Sequence, residues 1–272
     1  MFRLVSTAIL GAALAVPLAD AAAGEHRVVV EARVSAEAEP LSMGVEWRVF
    51  GEAEDGRLVE RAAAAGGRAE LSLEPGRYYL NALYGQASRT LRLDVEGDTE
   101  RSVVLGAGGL RLDATAGGEA IAPDLLRFDI FRHRPDENGE RRTVATDVAP
   151  RDVVRLNAGT YHVLSRYGRL RAEVRADLVV RAGETTTAVM QHRGAEARLR
   201  LVSAPGGAPL ANTAWSVFSD QGEQLYDAAR TAPRIVLPEG DYEVVARNGA
   251  DVVKQAFTVR AGRNLDIELL LP

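Results

Sequence analysis

The sequence contains no cysteine. Disulfides, thiol nucleophiles and cysteine-based metal sites are therefore excluded, as is a lipid anchor on an acylated cysteine. Lysine is nearly missing too. Lys254 stands alone among 33 basic residues, which leaves 32 arginines. The arginines are spread along the chain, as a coding bias toward Arg, Ala and Gly would leave them, although guanidinium groups also suit carboxylates and phosphates. Aromatic residues make up only 6%. The net charge is −5, the pI is about 5.6, and there is no basic block, so nucleic acid is not the expected partner. Long helical periods are absent as well. With 46% hydrophobic and 26% charged residues the composition is nonetheless that of a folded chain.

The one long apolar stretch is N-terminal. Arg3 supplies a positive start, Leu4–Ala19 an apolar core, and Ala19–Gly24 small residues at the cleavage positions. This is the pattern of a secretory signal peptide, cut after Ala21 or Ala23. The stretch is short for a span of about 20 residues and contains Pro17. Residues 1–23 are assigned to the leader. The mature protein is expected to be periplasmic or secreted, with no transmembrane segment.

What the sequence has in place of helices is repetition. "LEPGRYYLNALYG" (Leu73–Gly85), "LNAGTYHVLSRYG" (Leu156–Gly168) and "LPEGDYEVVARNG" (Leu237–Gly249) are versions of one thirteen-residue unit. Their first glycines, Gly76, Gly159 and Gly240, are 83 and 81 residues apart. A second glycine follows nine residues later (Gly85, Gly168, Gly249), and a third after a variable gap (Gly97, Gly183, Gly262). Upstream, each copy carries an aromatic–x–β-branched–Phe run, ending at Phe50, Phe131 and Phe218. These landmarks divide the mature chain into units at 25–106, 107–193 and 194–272.

Within each unit the apolar period is two, the signature of strands. Val28, Val30, Ala32 and Val34 share one face, as do Leu110 and Leu112, and Leu199 and Leu201. About seven short strands fit into each unit of some 80 residues. The expected fold is all-β: three tandem seven-stranded antiparallel Greek-key β-sandwiches, prealbumin- or Ig-like. "RAAAAGG" (Arg61–Gly67) reads as a loop with one helical turn. The repeated unit reduces to Leu-x-x-Gly-x-Tyr. Its glycines (Gly76, Gly159, Gly240) should allow a corner that a Cβ would obstruct. Its tyrosines (Tyr78, Tyr161, Tyr242) should fill the sandwich end and return their hydroxyls to a backbone group, as a tyrosine corner does. Asn248-Gly249 reads as a two-residue hairpin signal.

These features resemble the transthyretin-like, or carboxypeptidase-regulatory-like, β-sandwich repeat domains of bacterial secreted proteins. The resemblance covers nearly the whole mature chain and is strongest in the third unit. It implies a non-catalytic module used as a spacer, adhesion element or binding accessory, and no particular ligand. Related stalk domains cross-link themselves through a Lys–Asn isopeptide bond. With Lys254 alone, at least two units lack that device.

No catalytic motif is found, and no cofactor is expected. His26, His133, His162 and His192 match no standard metal spacing, and no metal ligand is assigned. Asp136, Asn138 and Glu140 resemble part of a calcium loop but lack the later bidentate acid, so a polar hairpin accounts for them equally. That loop is the longest insertion of the middle unit, which makes Asp136 and Asn138 candidate partner contacts. Phe50, Phe131 and Phe218 fall on outward parity. Either they form an apolar stripe for a partner, or each strand bulges at that point. The expected partner is another envelope or secreted protein; the alternative is a carbohydrate-binding accessory role, with a glycan bound. The joints "GAGG" (Gly106–Gly109) and "HRGAE" (His192–Glu196) are short and should be the first places a protease cuts. Three compact units of about 30 Å each would make a rod of about 90 Å.

Overall fold

The computed structural model describes residues 24–272, apart from Arg171. The leader assigned to residues 1–23 lies outside the described residues. The first unit holds β1 (His26–Arg33), β2 (Glu46–Glu52), β3 (Leu58–Ala65), β4 (Arg68–Leu73), β5 (Gly76–Tyr84), β6 (Ala87–Val95) and β7 (Thr99–Val104). The second holds β8 (Ala107–Ala116), a short β9 (Glu119–Ala120), β10 (Leu126–Arg132), β11 (Thr143–Val148), β12 (Val153–Asn157), β13 (Gly159–Tyr167), β14 (Ala172–Val180) and β15 (Thr185–His192). The third holds β16 (Gly194–Val202), β17 (Ala214–Ser219), β18 (Gln224–Ala229), β19 (Arg234–Pro238), β20 (Gly240–Asn248), β21 (Asp251–Val259) and β22 (Leu265–Leu270). One 3-10 turn, Pro123–Leu125, precedes β10.

Each unit is two sheets face to face. The first pairs β4-β1-β7 with β3-β2-β5-β6, the second β12-β8-β15 with β11-β10-β13-β14, and the third β19-β16-β22 with β18-β17-β20-β21. The sheets are not wholly antiparallel as expected. The first and last strands of each unit pair in parallel: β1 with β7, β8 with β15, and β16 with β22. The reason is parity. Every connection reverses the chain, so in a run of seven strands the first and last point the same way. Closing the small sheet with the last strand beside the first therefore makes that pair parallel.

Alternation packs three separate cores. Trp47 and Trp215 occupy equivalent places on β2 and β17, both fully buried. Each indole N–H is satisfied, donating to the Gly66 and Arg230 carbonyls respectively, at 2.8 Å in both cases. Phe128 takes that place in the second unit.

The Ala-rich stretch is not a helical loop. Ala62–Ala65 continue β3, pairing with Val49, Arg48, Trp47 and Glu46 of β2. A ladder partner outweighs the helical preference of alanine, and Ala62 and Ala64 tuck against the core. Two of the three corner glycines also differ from expectation, whereas Gly159, at φ 154°, keeps a backbone that favours glycine. A Cβ added at Gly76 or Gly240 would meet the following tyrosine ring no closer than 3.4 Å, an ordinary contact. What glycine provides there is a flat seat for the ring. The second glycines do need their freedom: Gly85, Gly168 and Gly249 have φ of 62°, 70° and 59°. Asn248 is the last paired residue of its hairpin, opposite Asp251, so the two-residue turn is Gly249-Ala250 and not Asn-Gly.

Candidate functional site

All three corner hydroxyls reach back four residues. Tyr78, Tyr161 and Tyr242 donate to the carbonyls of Glu74, Asn157 and Pro238 at 3.0, 2.8 and 2.8 Å. Tyr161 and Tyr242 are buried and Tyr78 is half-buried against its core, so their rings serve packing first. Phe50, Phe131 and Phe218 each follow a register shift, at Val49/Phe50, Ile130/Phe131 and Val217/Phe218. The strand bulges in all three copies, and the bulge leaves each phenylalanine half-buried. Their cross-strand neighbours differ: Tyr79, His162 and Glu243. They do not make one uniform stripe.

The Asp136 loop closes on itself. The Asp136 carboxylate accepts from the backbone N–H groups of Asn138 and Glu140, both at 2.9 Å. The loop's own backbone thus engages one oxygen of this carboxylate, Oδ1, as in an Asx turn. His133 and His162, unrelated in sequence spacing, both approach Asp177, at 3.4 and 2.8 Å. The bond from His162 holds the Asp177 carboxyl below its ordinary range. Among the described residues no cluster of His, Cys, Asp and Glu is arranged to hold a metal ion.

One pair escaped sequence reasoning. Ser165 Oγ and His192 Nε2 lie 2.7 Å apart, though 27 residues separate them. On an open surface this would be a nucleophile beside a base. Here the residues are 0% and 2% exposed, and His192 Nδ1 is buried without a hydrogen-bond partner. Burial pushes the imidazole pKa down to about 4. Tyr167 meets the ring edge-on at 5.7 Å. The signal was present in the repeat itself, because register places His192 where the first unit has Leu105, and Ser165 where it has Ala82.

The stretches expected to be linkers are mostly strand: only Leu105 and Gly106 separate β7 from β8, and only Arg193 separates β15 from β16. Added Cβ atoms at Gly108 and Gly194 would lie 2.0 and 2.7 Å from backbone oxygens. These glycines are needed for close backbone approach, and the joints are covered rather than open.

Both joints use the same two contacts. The tip of the upstream β5-type hairpin abuts the downstream β4-type strand: Gly85 lies on Arg155, and Gly168 on Val236. The loop after the upstream first strand meets the third landmark glycine of the next unit: Ser35 lies against Gly183, and Gly117 against Ala261 and Gly262. The chemistry on this shared frame differs. At the first joint it is polar. The Gln86 N–H donates to the Arg155 carbonyl at 3.0 Å, and the Asn157 side chain bonds Ser88 in both directions, at 3.2 and 3.1 Å. The Arg155 guanidinium lies 4.7 Å from the Tyr84 ring centroid. At the second joint an Arg193–Glu239 ion pair at 2.8 Å is joined by an apolar exchange. Leu170 of the second unit packs on the core of the third, while Val236 of the third packs on the core of the second. Leu170 can reach because the β13–β14 hairpin has a four-residue tip, where β5–β6 and β20–β21 have two. This longer tip also opens clefts of about 480, 570 and 820 Å³, all bordered by Arg169.

The profile of a family described as "Rhizobiales growth-associated tandem repeat domain" matches residues 196–271, the greater part of the third unit. No curated protein matches the chain. Among solved structures it is similar to the Bacillus anthracis TIE protein, with 14% identity, 92% of this chain and 51% of that chain covered, and a TM-score of 0.26. This chain thus spans about half the length of that protein. It is similar to GBS52, the minor pilin in Streptococcus agalactiae, with 14% identity, 61% and 95% coverage and a TM-score of 0.36. BcpA, the major pilin subunit of Bacillus cereus, aligns with 10% identity, 91% and 99% coverage and a TM-score of 0.28. At such TM-scores none of these likenesses carries a function across.

Proposed function

We propose that this protein is a non-catalytic scaffold of the cell envelope or its surroundings, holding three sandwich units at a set spacing for a protein partner. One observation carries the reading: both joints repeat the same pair of inter-unit contacts, so successive units are held in one manner. A flexible string of domains would need no such contacts. Two further features favour the reading. The Ser–His pair is sealed in the second core, and the apolar N-terminal stretch has the pattern of an exported chain. No helix among the described residues is long and apolar enough to cross a membrane.

The test is cross-linking in living cells, followed by fractionation and affinity capture. It compares the native chain with a variant carrying a flexible Gly-Ser insert between Arg193 and Gly194. A fixed spacing lowers the entropic cost of engaging one partner at two units, and a flexible insert raises it. The expected result is a protein partner in the envelope or secreted fraction, with at least tenfold weaker capture by the insert variant. Equal capture by both would sink the spacing role. Recovery of polysaccharide without protein would replace the reading with glycan binding.

A further inference from the structure

The cleft of about 820 Å³ at the second joint has a charge opposite to that of the chain. The whole protein carries −5. Yet this cleft is bordered by Arg169, Arg230 and Arg234, and among the described residues no carboxylate lines it. Arg234 is committed: its Nε donates to Glu196 at 2.5 Å. Asp124, which borders the neighbouring cleft, also acts on Arg234. Arg169 and Arg230 have no ion-pair partner among the described residues, and both are exposed at the rim.

The floor is apolar, formed by Leu170, Val236 and Pro233. Leu170 and Val236 are the two residues exchanged between the cores, so the floor is fixed by the joint itself. Tyr226 closes one side, its phenol pKa raised by burial and opposed by the charge of Arg230. The size falls within the range of about 300–1,000 Å³ usual for small-molecule pockets. The first joint, closed by a two-residue hairpin tip, has a cleft of about 230 Å³ that Glu184 shares. Position and size thus follow from one local difference, the longer tip that carries Arg169 and Leu170, while Arg230 and Arg234 come from the segment after β18.

We propose that this cleft binds a small amphipathic anion. An apolar chain or ring would lie on Leu170, Pro233 and Val236, and a carboxylate or phosphate head would meet the guanidiniums of Arg169 and Arg230. Arginine suits either head because its planar fork donates two parallel N–H groups. The apolar body supplies most of the affinity, and the two arginines supply the preference for an anion.

Isothermal titration of the full mature chain with octanoate and octyl phosphate, and with octanol as the neutral match, tests this. The expected result is saturable one-to-one binding of at least one of the anions. Binding should weaken at least tenfold for octanol, and at least tenfold in the Arg169→Gln/Arg230→Gln double variant. Both arginines are exposed, so the double variant should keep the native thermal midpoint. An Arg89→Gln/Arg101→Gln variant, changed far from the cleft, should bind as the native chain does. The proposal is overturned if neither anion binds, if octanol binds equally well, or if both double variants lose the same affinity.

Discussion

At the scale of single residues, the second unit departs from its neighbours at a matched pair. Where the first unit buries Ala82 and Leu105, the second buries Ser165 and His192. A neutral imidazole tolerates burial and an imidazolium does not, which is why its pKa falls from 6.5 to about 4. The sign of the consequence follows. The unfolded chain takes up the proton near pH 6.5, while the folded chain refuses it until about pH 4. The stability from keeping this group neutral is complete above pH 6.5 and is lost as pH falls through the folded value. The shift from 6.5 to about 4 corresponds to about 3 kcal/mol. Carboxylates titrate over the same interval, so the informative comparison is with Ser165→Ala/His192→Leu, which restores the pair of the first unit. Chemical denaturation at pH 7 and pH 4 should show the native chain losing about 3 kcal/mol more than this variant. Equal losses would show that His192 is not the group responsible.

At the scale of elements, glycine separates the cost of conformation from the cost of contact. Gly168 and Gly249 sit at equivalent hairpin tips with φ of 70° and 59°. A Cβ at Gly168 would lie 2.5 Å from Val236 Cβ, whereas one at Gly249 has nothing within 4 Å. Gly249→Ala should cost about 1–2 kcal/mol from the left-handed backbone alone. Gly168→Ala should cost about 1–3 kcal/mol beyond that, because it also forces the joint apart. Denaturation midpoints of the two variants check the difference. The joints bear on proteolysis as well. Gly194, Ala195 and Glu196 are buried in β16, while Arg141 and Arg142 lie on an exposed loop. Trypsin is expected to cut first after Arg141 or Arg142, and early cleavage after Arg193 would contradict a covered joint.

This is also the scale at which the legibility of the sequence changed. Period-two patterning placed the strands well, since each inward position meets a core of its own. The tyrosine corner was readable because it is local: residue, corner and carbonyl lie within five positions. The Ala-rich β3 was not readable, because its pairing with β2 outweighs local preference. The parallel pairs were hidden because they join the two ends of a unit. The Ser165–His192 pair was visible only as two polar residues where the sister copies are apolar. The cleft was visible only as a hairpin two residues too long.

At the scale of the whole molecule, the thirteen-residue repeat divides into two kinds of position. Its leucine and tyrosine make the same corner three times. Its other positions include several that build the joints, varied and shared alike: Asn157, which stands where the other copies have Glu74 and Pro238, bonds Ser88 across the first, and Gly168, a glycine in every copy, rests on Val236 across the second. At the hairpin tip of the third unit, a Cβ added at Gly249 would meet nothing within 4 Å among the described residues. Asn248 instead turns inward, donating to the Ala211 carbonyl and to Thr213 Oγ at 2.8 and 3.1 Å. The same hairpin thus serves as a connector twice and is tied down on its own unit once.

The central claim is that the three units are held at one spacing. The absence of cysteine makes it directly measurable, since two introduced thiols are the only ones present. Glu54→Cys in the first unit and Ala250→Cys in the third place spin labels on exposed sites. Pulsed electron–electron distance measurement should give one narrow peak, which broadens when a flexible Gly-Ser insert is placed after Arg193. A broad distribution in the native chain, unchanged by the insert, would contradict the account.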